Sequence, residues 1–147
     1  MFILITEDAS EIRLKEIAMG KSPGHRKMPD HKVQEQRLKE RVQVELEGRV
    51  IADSEDVILV REDENPDRYY FPRSDISMDL MERSTSTSKC PFKGEAHYYS
   101  LNAGDMQLED AAWTYEDPYE EHTALKGRVA FYDDKIREIE VRPVSGA

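Results

Sequence analysis

The residues best suited to chemistry lie in one stretch, residues 84–101, which reads STSTSKCPFKGEAHYYSL. It holds the only cysteine of the chain, Cys90, followed by Pro91, and a lysine, Lys93, directly before Gly94. A thiol becomes a good nucleophile when a nearby cation stabilises its thiolate, and Lys93 follows the cysteine across a turn stiffened by proline. The stretch therefore predicts a site at this turn.

Two interpretations of Cys90 stay open. It is either a catalytic nucleophile or redox thiol, with His97 as a base if the turn folds back, or a small buried residue that closes a corner of a sheet. Alternation along a strand puts His97 and Tyr99 on one face and Tyr98 on the other, so at most one aromatic pair faces the site. The sequence favours the buried cysteine.

Lys93 and Gly94 are the stronger candidates for ligand binding. A lysine before a glycine at the start of a strand can bind a carboxylate or a phosphate, and glycine lets the backbone approach closely. The alternative for Lys93 is a surface cation that balances an acidic domain. Arg73 follows the aromatic run 69–71, and its guanidinium could clamp an anionic ligand or pair with a neighbouring aspartate.

Trp113 and Tyr115 share one face of a predicted strand and could stack on a planar ligand, although such a stripe is more often part of a core. With Tyr98 they are the predicted aromatic walls of a site for a small organic or anionic ligand. We predict no cofactor and no metal site, because His25 and His31 have no companion ligands at metal-binding spacing.

The charge distribution argues against several classes of partner. The formal net charge is −10, and residues 41–147 carry thirteen Lys and Arg against twenty-four Asp and Glu. Such a domain repels phosphate backbones and anionic lipid, so we predict neither a nucleic-acid nor a membrane partner, and any protein partner is left open. One cysteine cannot form an internal disulfide, and the apolar residues 1–5 are too short for a signal peptide. We expect a soluble, cytoplasmic protein.

Strand patterns dominate from residue 41 onward. The segment 42–46 alternates apolar and polar residues, as a half-buried strand does, and further short strands are separated by turn residues. Residues 41–147 are therefore predicted to form a mainly β, antiparallel domain with short helical turns. Residues 1–40 contain a basic Pro- and Gly-containing segment and are predicted to be an N-terminal extension or linker, with a short helix after Ser10.

Five ordered blocks carry a family resemblance: GRVIADS from Gly48, RYYFP from Arg68, CPFKGEAHYY from Cys90, DAAWTYEDP from Asp110 and GRVAFY from Gly127. They resemble the bacterial family called domain of unknown function 427, sometimes labelled nucleotidyltransferase-like, over residues 40–142. The resemblance implies a compact β-tent-like domain of two antiparallel sheets pinned together at one end. The sequence lacks the four cysteines that bind zinc in some β-tent domains, and it shows no phosphate-cradling loop motif.

Three functions remain open on the sequence alone, because a fold does not decide a function. The preferred one is a small-molecule-binding domain with an aromatic and cationic pocket around the Cys90–Gly94 turn. The alternatives are an enzyme that uses Cys90 as nucleophile or redox thiol, and a protein-interaction domain whose residues 1–40 face the partner. The most informative observation is whether Cys90, Lys93, Arg73 and Trp113 converge on one cleft.

Overall fold

The computed structural model describes residues 22–144, and β-strands dominate this region, as the sequence predicts. The strands are β1 (Val33–Arg37), β2 (Arg41–Leu46), β3 (Arg49–Ser54), β4 (Ile58–Glu62), β5 (Arg68–Tyr70), β6 (Met81–Cys90), β7 (Gly94–Ala103), β8 (Met106–Tyr115), β9 (Val129–Phe131) and β10 (Ile139–Val144). The helical segments of this region are α1 (Pro23–Lys27) and three 3₁₀ helices (Arg73–Asp75, Met78–Leu80 and Glu120–Leu125). Among them, none is long and apolar enough to cross a membrane.

The strands form three antiparallel sheets, where the resemblance implied two. Their orders are β6–β7–β8–β9, β10–β2–β3 and β1–β4–β5. The third sheet forms because the chain leaves the β10–β2–β3 sheet after β3, and β4 pairs with β1 and β5 instead. The Ser54 hydroxyl donates to Asp75 Oδ2 at 2.6 Å and accepts from the Asp56 amide at 2.9 Å, which stops β3 and directs β4 away from it.

The four-stranded sheet lies between two hydrophobic cores, because side chains alternate between its faces. Tyr99 and Leu101 of β7 join the first core, together with Val44 of β2 and Ile51 of β3. The opposite face carries Trp113 and other residues that pack against β4 and β5. This second core is formed by Ile58, Val60, Tyr70, Ala96, Trp113, Tyr115, Leu125 and Ala130.

The structured domain begins earlier than the predicted boundary at residue 41. β1, which lies within the predicted extension 1–40, pairs with β4 in antiparallel register from Val33 opposite Glu62 to Arg37 opposite Ile58. Its sequence, VQEQR, has no apolar alternation because β1 is an edge strand whose side chains are mostly exposed. The helix predicted after Ser10 lies outside the described residues.

The segment before β1 also packs on the domain instead of forming a free linker. The Gly24 amide donates to the Pro91 carbonyl oxygen at 2.7 Å. A Cβ atom at residue 24 would lie 2.7 Å from the Phe92 ring, so only glycine allows this approach. His25 and His31 both contact the Phe92 ring, at centroid distances of 4.8 and 4.2 Å. These two histidines, which lie in the predicted extension or linker, therefore pack against the β domain.

Candidate functional site

A cleft of about 210 Å³ lies between the four-stranded sheet and the β4–β5 hairpin. Five of the residues predicted to form the site line it together: Cys90, Lys93, Tyr98, Trp113 and Tyr115. Five further lining residues with polar or aromatic groups were not predicted from the sequence. They are Glu62, Asn65, Arg68, Tyr70 and Tyr132.

The aromatic wall is set by the register of β7 and β8. Tyr98 lies opposite Trp113 in this strand pair, so both side chains emerge on the same face. The Trp113 indole Nε1 donates to the Tyr70 hydroxyl at 3.1 Å, and its ring lies 4.3 Å from that of Tyr132. Burial raises the pKa of the Tyr70 and Tyr115 hydroxyls, which keeps both phenols neutral. The wall is therefore a set of packed rings in which the Tyr70 and Tyr115 hydroxyls are uncharged.

Arg68 lies above this wall and was not among the predicted site residues. Its guanidinium is 5.1 Å from the Trp113 ring centroid and 5.2 Å from that of Tyr132, close enough for cation–π attraction. Asp134 fixes it through an ion pair of 2.8 Å. The pKa of the Tyr132 hydroxyl is raised to about 12. Burial is the largest cause, and the hydrogen bond with Tyr98 is the second. The ion pair with Asp134 therefore holds the Arg68 guanidinium over the aromatic wall.

The cationic end of the cleft is a buried network around Lys93. The side chain of Lys93 is 8% exposed, and its ammonium forms an ion pair with the Glu62 carboxylate. The other Glu62 oxygen accepts from His31 Nε2 at 3.0 Å. Although burial opposes ionisation of Glu62, the hydrogen bonds and charges of Lys93 and His31 outweigh it and hold the pKa of Glu62 below its usual value.

Cys90 is half-buried at the edge of this network. Its Sγ atom lies 3.8 Å from the Lys93 Nζ atom, which places the thiol beside the lysine as the sequence suggested. The charge of that lysine is already balanced by Glu62. The geometry therefore provides a cation near the sulfur, but one that is largely neutralised by its own partner.

Arg73 and Gly94, also predicted to bind ligand, lie outside the cleft. Arg73 donates to the Gly127 carbonyl oxygen at 2.8 Å and to the Tyr99 hydroxyl at 2.6 Å, on the opposite face of the four-stranded sheet. Gly94 has φ of +127°, and a Cβ there would lie 3.3 Å from the Asp117 carbonyl oxygen. Its role in the fold is to let the chain after β8 pack against the start of β7.

Outside the cleft, the described residues include a group that could ligate a metal ion: His25, Glu121 and His122. One potential ligand atom from each lies within 4.8 Å of the others. His25 comes from α1, whereas the other two residues belong to the 3₁₀ helix 120–125. Sequence spacing gave His25 no companion ligand because its neighbours are supplied by a distant part of the chain.

Comparison with known proteins identifies a family. No protein with a curated description matches the sequence. The family model described as a domain of unknown function (DUF427) matches residues 34–142. The match begins within β1 and ends within β10, so it includes every residue of the cleft, and it confirms the resemblance carried by the five sequence blocks. The chain therefore belongs to the DUF427 family.

Proposed function

We propose that the cleft binds a small organic molecule with a planar part and a polar edge. The observation that carries the proposal is the convergence of Cys90, Lys93, Tyr98, Trp113 and Tyr115 on one cleft. Aromatic walls with a few well-fixed polar groups are typical of small-molecule sites. The planar part would stack against the rings, and the polar edge would meet the tyrosine hydroxyls and the lysine end.

The electrostatics narrow the class of ligand. Both cations of the cleft are already paired, Lys93 with Glu62 and Arg68 with Asp134. A phosphate-rich ligand would have to displace both carboxylates from their cations. The net charge of −10 on the chain would also repel such a ligand. A neutral or singly charged ligand can instead accept hydrogen bonds without breaking either pair. The cleft volume of about 210 Å³ also restricts the ligand to a small molecule.

The single tryptophan of the chain, Trp113, lies in the cleft and gives a direct test. Titration with benzoate, nicotinate, benzamide and nicotinamide should change its fluorescence saturably for at least one probe. Tyr132→Leu should weaken that binding about 10-fold, because it removes a stacking surface worth roughly 1.4 kcal/mol. Tyr119→Leu is the matched control, since Tyr119 does not line the cleft.

The same titration, monitored by amide NMR shifts, measures binding independently of fluorescence. This matters because Tyr132 contacts Trp113, and Tyr132→Leu therefore changes the surroundings of the fluorophore itself. Shifts clustered on β7 and β8 would support the proposal. A complete lack of saturable change with all four probes would contradict it. So would an equal loss of binding in the Tyr119→Leu control, because binding would then not depend on the cleft.

One observation favours a second candidate, thiol chemistry at Cys90: the 3.8 Å distance from its sulfur to Lys93 Nζ. Because Glu62 balances that lysine, we expect Cys90 to react with iodoacetamide at neutral pH no faster than free cysteine. Glu62→Gln removes the balancing charge and should accelerate alkylation by about 3- to 10-fold. Glu95→Gln, at an exposed position on β7, should leave the rate unchanged.

Faster alkylation of the unmodified protein than of free cysteine would support an enzyme and count against our preferred function. Alkylation that is equally fast in both glutamate variants would show that Glu62 does not control the thiol. The interaction hypothesis has less support from residues 22–40, because this part of the predicted extension packs against the chain's own domain. We therefore place ligand binding first.

A further inference from the structure

We propose that His25, Glu121 and His122 form a binding site for a divalent transition-metal ion, with zinc as the best-suited ion. The site is separate from the aromatic cleft and does not depend on the function proposed for it. It lies where α1 meets the 3₁₀ helix 120–125. Its two imidazoles and one carboxylate are the donor types that zinc prefers, and three protein ligands would leave one position for water.

The positions of the donor atoms fit such a site. The Nε2 atoms of His25 and His122 face each other at 3.5 Å. In a tetrahedral site with metal–ligand bonds of about 2.0–2.1 Å, neighbouring ligand atoms are about 3.4 Å apart. Glu121 Oε1 lies 4.0 Å from His25 Nε2, so a small side-chain rotation would complete the set.

A second carboxylate orients the buried histidine in the way that metal sites use. His122 Nδ1 lies 2.6 Å from Glu35 Oε2. A carboxylate accepts this hydrogen bond, so Nδ1 is the donor, and in the tautomer protonated at Nδ1 the Nε2 lone pair is directed toward His25. The His122 side chain is only 4% exposed, which prevents it from turning to other partners. Glu35 thus acts as a positioning residue for the ligand His122.

The two histidines do not satisfy each other well. Their Nε2 separation of 3.5 Å exceeds the usual hydrogen-bond range of about 2.7–3.2 Å, so any direct bond between them is weak. The neighbouring Glu121 oxygen already accepts from the Ser22 amide at 2.6 Å, which holds the carboxylate beside the pair. The His25 and Glu121 side chains are partly exposed, so an ion can reach the site from solvent.

A metal ion at this position would tie the N-terminal part of the described chain to the domain. His25 belongs to α1, which otherwise rests on Phe92 and on the Pro91 carbonyl oxygen. Binding to the folded form alone raises its stability, so metal should stabilise the docked segment. An ion held by these three ligands would join two separate segments of the chain and would keep its fourth position open to water.

The test uses the full chain, stripped of metal with a chelator. Titration with Zn²⁺ in competition with a chromophoric chelator should show one ion bound per chain and a higher melting temperature. His122→Gln should lower the affinity by more than about 100-fold, since it removes a ligand. Glu35→Gln should lower it by about 10- to 100-fold, because it weakens the orienting hydrogen bond without removing a ligand. Cobalt(II) should give the absorption bands of a nitrogen- and oxygen-ligated ion without a sulfur charge-transfer band.

His97→Gln is the matched control, because His97 also lies beside carboxylates, at 3.3 Å from Glu95, but outside the proposed site. It should leave zinc affinity unchanged. Loss of binding in this control, or binding that persists in both His25→Gln and Glu121→Gln, would overturn the proposal. If circular dichroism shows that His122→Gln does not fold, the affinity of Glu121→Gln for zinc tests the proposal instead, because the Glu121 side chain is more exposed. A chain that binds no zinc at all would also overturn it.

Discussion

Replacement of Trp113 by alanine is expected to lower the free energy of unfolding by about 3 to 5 kcal/mol. The side chain is 5% exposed, and its ring packs against Tyr132 beneath the Arg68 guanidinium. Removing it creates a cavity between the four-stranded sheet and the β4–β5 hairpin. It also leaves the buried Tyr70 hydroxyl without the indole donor, which adds the cost of an unsatisfied polar group.

Trp113→Phe separates these two contributions. Phenylalanine fills most of the space but cannot donate to Tyr70, so we expect a loss of only about 1 to 2 kcal/mol. Urea unfolding should be followed by far-ultraviolet circular dichroism, because the variants lack the fluorescent reporter. A Trp113→Ala variant whose free energy of unfolding lies within about 1 kcal/mol of that of the unmodified protein would show that the aromatic wall is not tightly packed, and would weaken the proposed stacking site.

Replacement of Lys93 by methionine is expected to cost about 3 to 5 kcal/mol, even though it removes a charge from a folded core. The side chains of Lys93 and Glu62 are 8% and 13% exposed, and the ammonium is the charged partner of Glu62. Methionine fills the space of the lysine stem but leaves the carboxylate with only the bond from His31. The cost comes from an uncompensated buried charge.

A double-mutant cycle with Glu62→Gln tests this reason. When both charges are removed, no carboxylate remains without a partner, so the double variant should be more stable than Lys93→Met alone. Arg83→Met is a suitable control, because its ion pair with Glu116 is more exposed, and it should cost less than about 1 kcal/mol. A double variant that loses the sum of both single effects would exclude a direct coupling between the two residues.

The same pair predicts the sign of a pH dependence. The pKa of Glu62 is lower in the folded chain than in the unfolded chain, where it has its usual value. Between these two pKa values the unfolded chain binds more protons than the folded chain, so stability rises with pH. The stabilising contribution of Glu62 is complete above about pH 4.3, the usual glutamate pKa, and is lost as the pH falls through the lower folded value. In Lys93→Met this part of the acid dependence should become shallower, as measured by unfolding free energies between about pH 3 and 6.

The fold was predictable where burial leaves a periodic pattern. Alternation at residues 42–46 predicted β2, because one side of that strand faces a core. β1 gave no such pattern, since an edge strand with exposed side chains needs only backbone pairing with β4. The third sheet was equally hidden, because it depends on how the Ser54 turn directs the chain and not on any strand's own composition.

Only part of the cleft lining could be predicted, because residues that are close in sequence can be placed together and residues from different strands cannot. Cys90 and Lys93 lie in one turn, so the sequence itself placed them together. Arg68 lies two residues before Tyr70 on β5, and that alternation was a usable signal that both face the same side. Arg73 falls on the other side together with Phe71, a residue of the first core. The position of Glu62 in the cleft could not be predicted, because in the sequence this residue belongs to the acidic segment 62–64. Only the pairing of β4 with β1 and β5 places it at the end of a strand.

The metal-ligand group shows the limit of reading spacing along a chain. Glu121 and His122 are adjacent in sequence, but His25 joins them only after α1 has docked. Close spacing is needed only when a single local segment holds an ion. Ligands from two segments leave no short motif, and the fold alone determines which of them meet.

The contact between Gly24 and the β6–β7 turn sets an order of events in folding. The Phe92 ring and the Pro91 carbonyl oxygen, on which residue 24 rests, belong to a turn that forms only when β6 and β7 have paired. During synthesis residue 24 leaves the ribosome long before that turn does. Residues 22–31 can therefore reach their native place only after β6 and β7 have paired, although they are made before either strand.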